Sequence, residues 1–240
     1  MARNRWYLGL TGDEFDLETL AEFLASGAIV VAREDDAQWY LSGAIFDGIE
    51  DASAVRDRGI EMVEIINGAG VLFNLEKIKV GSVLEVTDSG EHKHSVLVAE
   101  TLTAHARCRA VVMGPEGKPK ENENALAFRR ILKLAGKKPV SDVLHFLTLQ
   151  PNWWNLYKVF EVVEDDVNGR VYKLVDEQKL RDFKSTAQSR NHLGDEARHA
   201  SSKKKYSGPL IPTSFEEAQE LIRQLVEKWL QQHRGAGSGS

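Results

Sequence analysis

One cysteine in 240 residues leaves nothing from which to build an intrachain disulfide or a multi-cysteine zinc site. That cysteine, Cys108, lies in Ala106-Arg107-Cys108-Arg109-Ala110-Val111-Val112 and reads as a small apolar thiol on a buried strand. No run of about 18 apolar residues is present, so no bilayer-spanning helix is expected. The stretch from Met1 to Asp16 lacks the uncharged apolar core of a signal peptide, and a cytoplasmic protein is the expectation. There is no internal repeat and no glycine-rich phosphate loop. Gly68-Ala69-Gly70 has no strand-to-helix context of that kind and reads as a turn.

What is present is ordinary in amount and uneven in placement. Hydrophobic residues make up 42% and charged residues 28%, as in a folded globular chain. Residues 1–118 carry 11 Lys+Arg against 20 Asp+Glu, a net of −9, whereas residues 119–240 carry 20 against 16, a net of +4. Between 179 and 206 there are eight basic and three acidic side chains. A cationic concentration of this kind can hold phosphate, or it can dock on the acidic first half.

The hydrophobic period changes along the chain. Before residue 118 it suggests short strands: Arg5–Leu10, Ala28–Ala32, Gln38–Ser42, Ala44–Phe46, Val71–Phe73, Val83–Val86, Ser95–Ala99 and Ala110–Met113. A short helix from Asp16 to Ser26 interrupts them, and Asp51–Asn67 reads as a helix feeding a strand, broken at Gly68-Ala69-Gly70. Asp88-Ser89-Gly90 is a hairpin signal. The expectation for residues 1–118 is an acidic, β-rich domain, an antiparallel sheet or small barrel. Gly114-Pro115-Glu116-Gly117-Lys118-Pro119 marks the expected boundary. Beyond it the period is helical: Glu121–Ala135, a helix capped by Ser141-Asp142 and ending at Pro151, Trp153–Val167 stopped by Gly169, Asp176–Ser189, and a last helix opened by the capping box Ser214-Phe215-Glu216-Glu217. Five helices over 119–234 should pack as a bundle, giving an α+β chain overall. Residues 235–240, Gly-Ala-Gly-Ser-Gly-Ser, read as a linker.

Three clusters carry chemistry in principle. His92 and His94 fall on one face of a strand, with His105 nearby, but no carboxylate or cysteine spacing completes a ligand set, so no metal or other cofactor is expected. Trp153-Trp154-Asn155-Leu156-Tyr157 could stack bases, yet its helical spacing favours core packing, with Trp154 alone pointing elsewhere. Glu161, Glu164, Asp165 and Asp166 read as a solvated helix end. Arg190-Asn191-His192-Leu193-Gly194-Asp195-Glu196-Ala197-Arg198-His199, followed by Lys203-Lys204-Lys205, differs in kind. A histidine exchanges protons near neutral pH and a guanidinium offers a planar fork to two phosphate oxygens. These are the groups that RNA cleavage without a metal requires. The bland alternative is that Arg198 and His199 tie the loop to helix-end carbonyls.

The order of helices from 119 to 234, including Trp154-Asn-Leu-Tyr-Lys-Val-Phe-Glu161 and a fourth helix running into the Arg/His segment, resembles the HEPN superfamily and its Apea-like branch. That resemblance implies a metal-independent endoribonuclease of a bacterial defence or toxin system, formed by two protomers, with the β-rich domain sensing or restraining. It implies that Arg190 and Arg198 hold phosphate, that His199 is the acid/base group, and that Asn191 and His192 orient it. In the family pattern four to six residues separate arginine and histidine. Here Arg190 is followed by His192 after one residue and by His199 after eight. A non-catalytic module binding a protein partner or nucleotide, and a small-molecule sensor, are the rival expectations. No membrane partner is expected.

If Lys203, Lys204 and Lys205 contact RNA phosphates, changing all three to glutamate lowers the slope of log affinity against log salt by roughly three, about one per contact. Filter binding across a salt series measures it, and a slope unchanged in the triple variant sets the lysines aside.

Overall fold

The computed structural model describes residues 6–25, 27–33, 38–87, 122–189, 193 and 212–233, and the backbone of 92–95. They form two compact units, Met1–Lys133 and Leu134–Ser240.

The first unit is built on a sheet with strands β1 (Trp6–Thr11), β2 (Ile29–Arg33), β3 (Trp39–Gly43), β4 (Lys79–Val86) and β5 (His92–Ser95). Its order is β2-β3-β1-β4-β5, and every neighbouring pair is antiparallel. Helix α1 (Glu14–Leu24) links β1 to β2, and α2 (Ala52–Val71) links β3 to β4. Each crossover skips one strand, so two βαβ units interlock in a split arrangement. Among the described residues the sheet is open, with β2 and β5 at its edges. Register sorts the side chains. Leu8, Leu41 and Val83 lie abreast on one face, while Tyr7, Tyr40, Leu84 and Val86 occupy the other as a second apolar cluster. The Tyr7 and Tyr40 rings meet edge-on at 6.0 Å.

Several local expectations change. Ala44–Phe46 is a 3-10 turn rather than a strand, because Gly43 at φ 119° turns the chain out of the sheet, and a Cβ there would stand 2.3 Å from the Ala28 carbonyl oxygen. Gly68-Ala69-Gly70 does not break the helix. All three residues are buried inside α2, which runs on to Val71, and Val71–Phe73 is its last turn rather than a strand. Small residues serve this helix by letting it approach the sheet: a Cβ on Gly59 would sit 2.1 Å from Leu8 Cδ2. Asp51 caps the start through the Ala54 amide at 2.9 Å.

Helix α3 (Glu123–Leu134) also departs from expectation, since it packs on this first unit. Phe128 is fully buried, 5.3 Å from the Phe23 ring and 5.5 Å from that of Phe73. Arg129 Nη1 donates to the Phe23 carbonyl at 2.8 Å, and Asn122 Nδ2 to Glu22 Oε1 at 3.2 Å. The units therefore divide after Lys133, not at 118/119. A change of period records where secondary structure changes, and the compact boundary follows one helix later. Residues 114–119, the Asp88-Ser89-Gly90 turn and Ala110–Met113 lie outside the described residues.

The second unit holds α4 (Lys138–Thr148), α5 (Trp153–Asp166), a 3-10 turn (Arg170–Lys173), α6 (Glu177–Gln188) and α7 (Phe215–Gln232). Helix α4 starts at Lys138 with Pro139 in its first turn, a place where the missing N–H costs nothing, so Ser141-Asp142 lies inside it rather than capping it. Two signals act as expected: Gly169 ends the α5 segment at φ 75°, and Ser214 with Glu217 forms the reciprocal box on α7. Asn152 caps α5 and Asp176 caps α6. The α7 face of Ala218, Leu221, Ile222, Leu225, Trp229 and Leu230 is buried throughout. No described helix is long and apolar enough to cross a membrane.

Gly43→Ala is expected to destabilise the first unit by about 1–3 kcal/mol from backbone strain alone, with the Ala28 clash added. Gly48→Ala, also at positive φ but with open space around it, should cost less. Thermal unfolding of both variants checks this, and equal losses would show that the close approach to Ala28 is without consequence.

Candidate functional site

Arg190, Asn191, His192, Arg198, His199, Lys203, Lys204 and Lys205 all lie outside the described residues. What the structure supplies is the ground to which their segment is attached. At the outgoing end, the Ser189 amide donates to the Thr186 carbonyl at 3.0 Å, and the Leu193 amide to the Ser189 carbonyl at 3.1 Å. Gln188 Nε2 donates to the Tyr157 hydroxyl at 2.5 Å. At the returning end, the Thr213 amide donates to Thr186 Oγ1 at 3.0 Å, and the same hydroxyl donates to the Asp182 carbonyl at 2.8 Å. Thr186 is 3% exposed. Residues 190–211 thus leave and return at one buried threonine.

Beside that anchor runs a groove of about 390 Å³ between α6 and α7. Among the described residues that line it are Asp182, Glu216, Glu217 and Glu220, with Lys179 the one cation in that set. The hydrogen bond from Arg223, joined by one from Gln224, holds the Glu220 carboxyl below the usual carboxylate range. Glu217 is occupied in the α7 cap. A wall of carboxylates repels a phosphate and attracts a cation.

A second constellation joins three helix ends, and sequence reasoning missed it. Asp166 Oδ2 accepts from Trp229 Nε1 at 2.8 Å and lies 3.1 Å from His233 Nε2, while His233 Nδ1 is 3.4 Å from Lys137 Nζ. With the proton on Nε2, both ring nitrogens are engaged, so the imidazole has no free position for proton transfer. The cluster clamps the ends of α5 and α7 to the start of α4. Two signals were available: Trp229 and His233 stand four apart on one helical face, and Asp166 closes α5. The expected solvated helix end is corrected in part, because Glu164 also bonds, to Lys184 Nζ at 2.8 Å.

The remaining expectations resolve simply. Trp153, Leu156 and Tyr157 are buried while Trp154 is 48% exposed, so the aromatic run is core with one outward ring. Lys158 Nζ stands 5.8 Å from the Trp154 ring and 5.1 Å from that of Phe146. His92 and His94 stand opposite Val86 and Leu84 in the β4–β5 register. His105 and Cys108 lie outside the described residues, among which no metal-binding group of His, Cys, Asp and Glu occurs. Comparison with family models, curated proteins and solved structures gives no match.

Asp166→Ala is expected to lower stability by about 1–3 kcal/mol, because the Trp229 indole N–H stays buried without an acceptor. Asp166→Asn keeps an acceptor oxygen and should recover part of the loss. An unchanged melting temperature in Asp166→Ala would show that the clamp carries no weight.

Proposed function

We propose that this chain is a metal-independent endoribonuclease-type effector, with the Arg190–His199 segment of its helical unit as the reacting part and the β-rich unit in a sensing or restraining role. The observation that supports the reading most is the seating of the segment. The strongest concentration of arginine, histidine and lysine in the sequence is carried between two helix ends that meet at one buried residue, Thr186. A reacting loop needs such a footing, because proton transfer demands placement to a fraction of an ångström.

The chemistry follows from the residue types. A base removes the proton of a ribose 2′-hydroxyl, and the 2′-oxygen attacks phosphorus. The bond to the 5′-oxygen breaks, and an acid returns a proton to that leaving oxygen. His199 is the proton carrier. Two protomers would supply two such histidines, one as base and one as acid, which is why a homodimer belongs to the proposal. Arg190 and Arg198 hold the non-bridging oxygens, whose charge is greatest in the transition state. Asn191 and His192 orient the imidazole. Lys203, Lys204 and Lys205 bind neighbouring phosphates.

One observation favours a second reading, a non-catalytic module that binds a protein partner or nucleotide. Eight residues separate Arg190 from His199, more than the family pattern places between them.

Incubation of the purified protein with total RNA in EDTA separates the two. Cleavage that persists in EDTA, disappears in His199→Ala at unchanged helix content, and weakens in Arg198→Lys supports the effector reading. A lysine ammonium lacks the guanidinium fork, so that last loss is expected even though charge is kept. RNA left intact by the wild-type protein, or cut equally by His199→Ala, removes the catalytic assignment.

A further inference from the structure

We propose that the 3-10 turn Arg170–Lys173 is a contact site for single-stranded nucleic acid, where the Tyr172 ring stacks on a base and Arg170 and Lys173 hold the flanking phosphates. Three large hydrophobic side chains are exposed among the described residues, Ile60, Trp154 and Tyr172, and Tyr172 is the most open at 52%. The Trp154 ring already has the Lys158 ammonium beside it at 5.8 Å. Tyr172 forms no ring or cation contact, and neither Arg170 nor Lys173 forms an ion pair, among the described residues. One short turn thus presents an unused aromatic face between two cations whose charge nothing in the fold neutralises. The site does not rest on the ribonuclease reading, since a strand bound here can be cut elsewhere on the protein or not at all.

The period of the turn explains the arrangement. A 3-10 turn has three residues per turn, so side chains three apart stand in one row. Val171 and Leu174 form the inner row and are buried. Arg170 and Lys173 form an exposed row, roughly 6 Å apart along the axis, close to the step between successive phosphates of an extended strand. Tyr172 belongs to neither row and projects beside the cations. The footing is firm. Asn168 at φ 52° and Gly169 at φ 75° turn the chain after α5, and the Gly169 amide donates to the Glu164 carbonyl at 2.8 Å. The Leu174 amide donates to the Val171 carbonyl at 2.8 Å. Arg170 Nε donates to the Val167 carbonyl at 3.1 Å, which orients the guanidinium and leaves its terminal amino groups for phosphate oxygens. The carboxylates that follow the turn are engaged elsewhere: Asp176 accepts from the Lys179 amide and Glu177 from Arg181. Asp165, exposed before the turn, pairs with neither cation. An acidic peptide would use the two cations and leave the ring idle. A single strand uses all three groups, because every base offers a face and every step a phosphate. A duplex keeps its bases stacked on one another, so the ring favours the single strand.

The probe is a fluorescein-labelled 2′-O-methyl oligoadenylate, which lacks the hydroxyl that cleavage needs, so binding is read apart from any nuclease activity. The deoxy oligomer of the same sequence, a duplex of the same length and a polyglutamate chain are run beside it. Anisotropy is followed across a salt series on the full chain, with the melting temperature of each variant. Tyr172→Ala should weaken single-strand binding about tenfold at unchanged melting temperature, as loss of one stacked base implies, and Tyr172→Phe should restore it. Arg170→Gln and Lys173→Gln should each lower the slope of log affinity against log salt by about 0.7. Equal binding of the deoxy oligomer supports a site for either single strand, and weaker binding supports one for RNA. A bromouridine placed in the strand should crosslink to Tyr172, a reading that needs no variant. An oligomer that fails to bind at low salt overturns the proposal, as does binding indifferent to Tyr172→Ala. Equal loss of duplex and single strand in Tyr172→Ala also overturns it, because the ring is then not stacking. Polyglutamate bound through Arg170 and Lys173, with the oligomer ignored, transfers the turn to an acidic protein partner.

Discussion

The helical unit depends on the aromatic stack around Phe183. This side chain is fully buried, with the Trp153 ring at 6.1 Å and the Tyr157 ring at 6.0 Å, both nearly parallel to it. Phe160 meets it edge-on at 6.0 Å, and Phe215 closes on Trp153 at 5.8 Å. Three helices, α5, α6 and α7, are thereby fixed through large rings that fill the space between them. The consequence lies one turn further along α6. Thr186 and Ala187 stand three and four residues after Phe183, on the face the stack has already immobilised. A hydroxyl placed there can serve as a fixed point because its neighbours have no freedom to move. Tyr157 contributes twice, by its ring to the stack and by its hydroxyl to Gln188.

The first unit rests on a different constraint, the approach of a helix backbone to a sheet. Gly59 brings α2 against Leu8 more closely than any side chain allows, and Gly68-Ala69-Gly70 is buried further along the same helix. The helix is locked at its far end by Asn67, whose side chain donates to the Ile78 carbonyl and accepts from the Ile78 amide, each at 2.9 Å. Asp16, fully buried in α1, accepts from the Glu76 amide at 2.9 Å in the same approach to β4. Asp16 and Asn67 each satisfy a backbone group that would otherwise go unpaired.

These contrasts explain what the sequence disclosed. Capping residues and helical faces act locally, so Ser214 with Glu217, Gly169 and the Trp229 face were legible from spacing alone. Glycines in α2 were not, because a glycine that turns a chain and a glycine that lets two elements touch look identical without knowledge of the partner. Helix α3 misled for a similar reason: its amphipathic period specifies that it buries a face, not which unit receives it. Phe128 finds Phe23 and Phe73 from more than fifty residues away, and no pattern within the helix encodes that choice. The Asp166 clamp failed on the same ground, since Asp166 and His233 are 67 apart in sequence. Of the expected reacting residues the structure describes none, and their assignment rests on residue chemistry. The footing at Thr186 comes from the structure alone.

Charge sets the terms on which that footing could be used. The groove between α6 and α7 bears carboxylates at the place where a strongly basic segment begins and ends. An RNA phosphate and a protein carboxylate compete for the same lysines, and both contacts weaken as salt rises. A segment held to carboxylates has its cations already neutralised, so binding RNA must release that hold, and the net gain is the difference between two similar attractions. The same arithmetic applies if the acidic first half is the competitor, with its net of −9 against the +4 of the second.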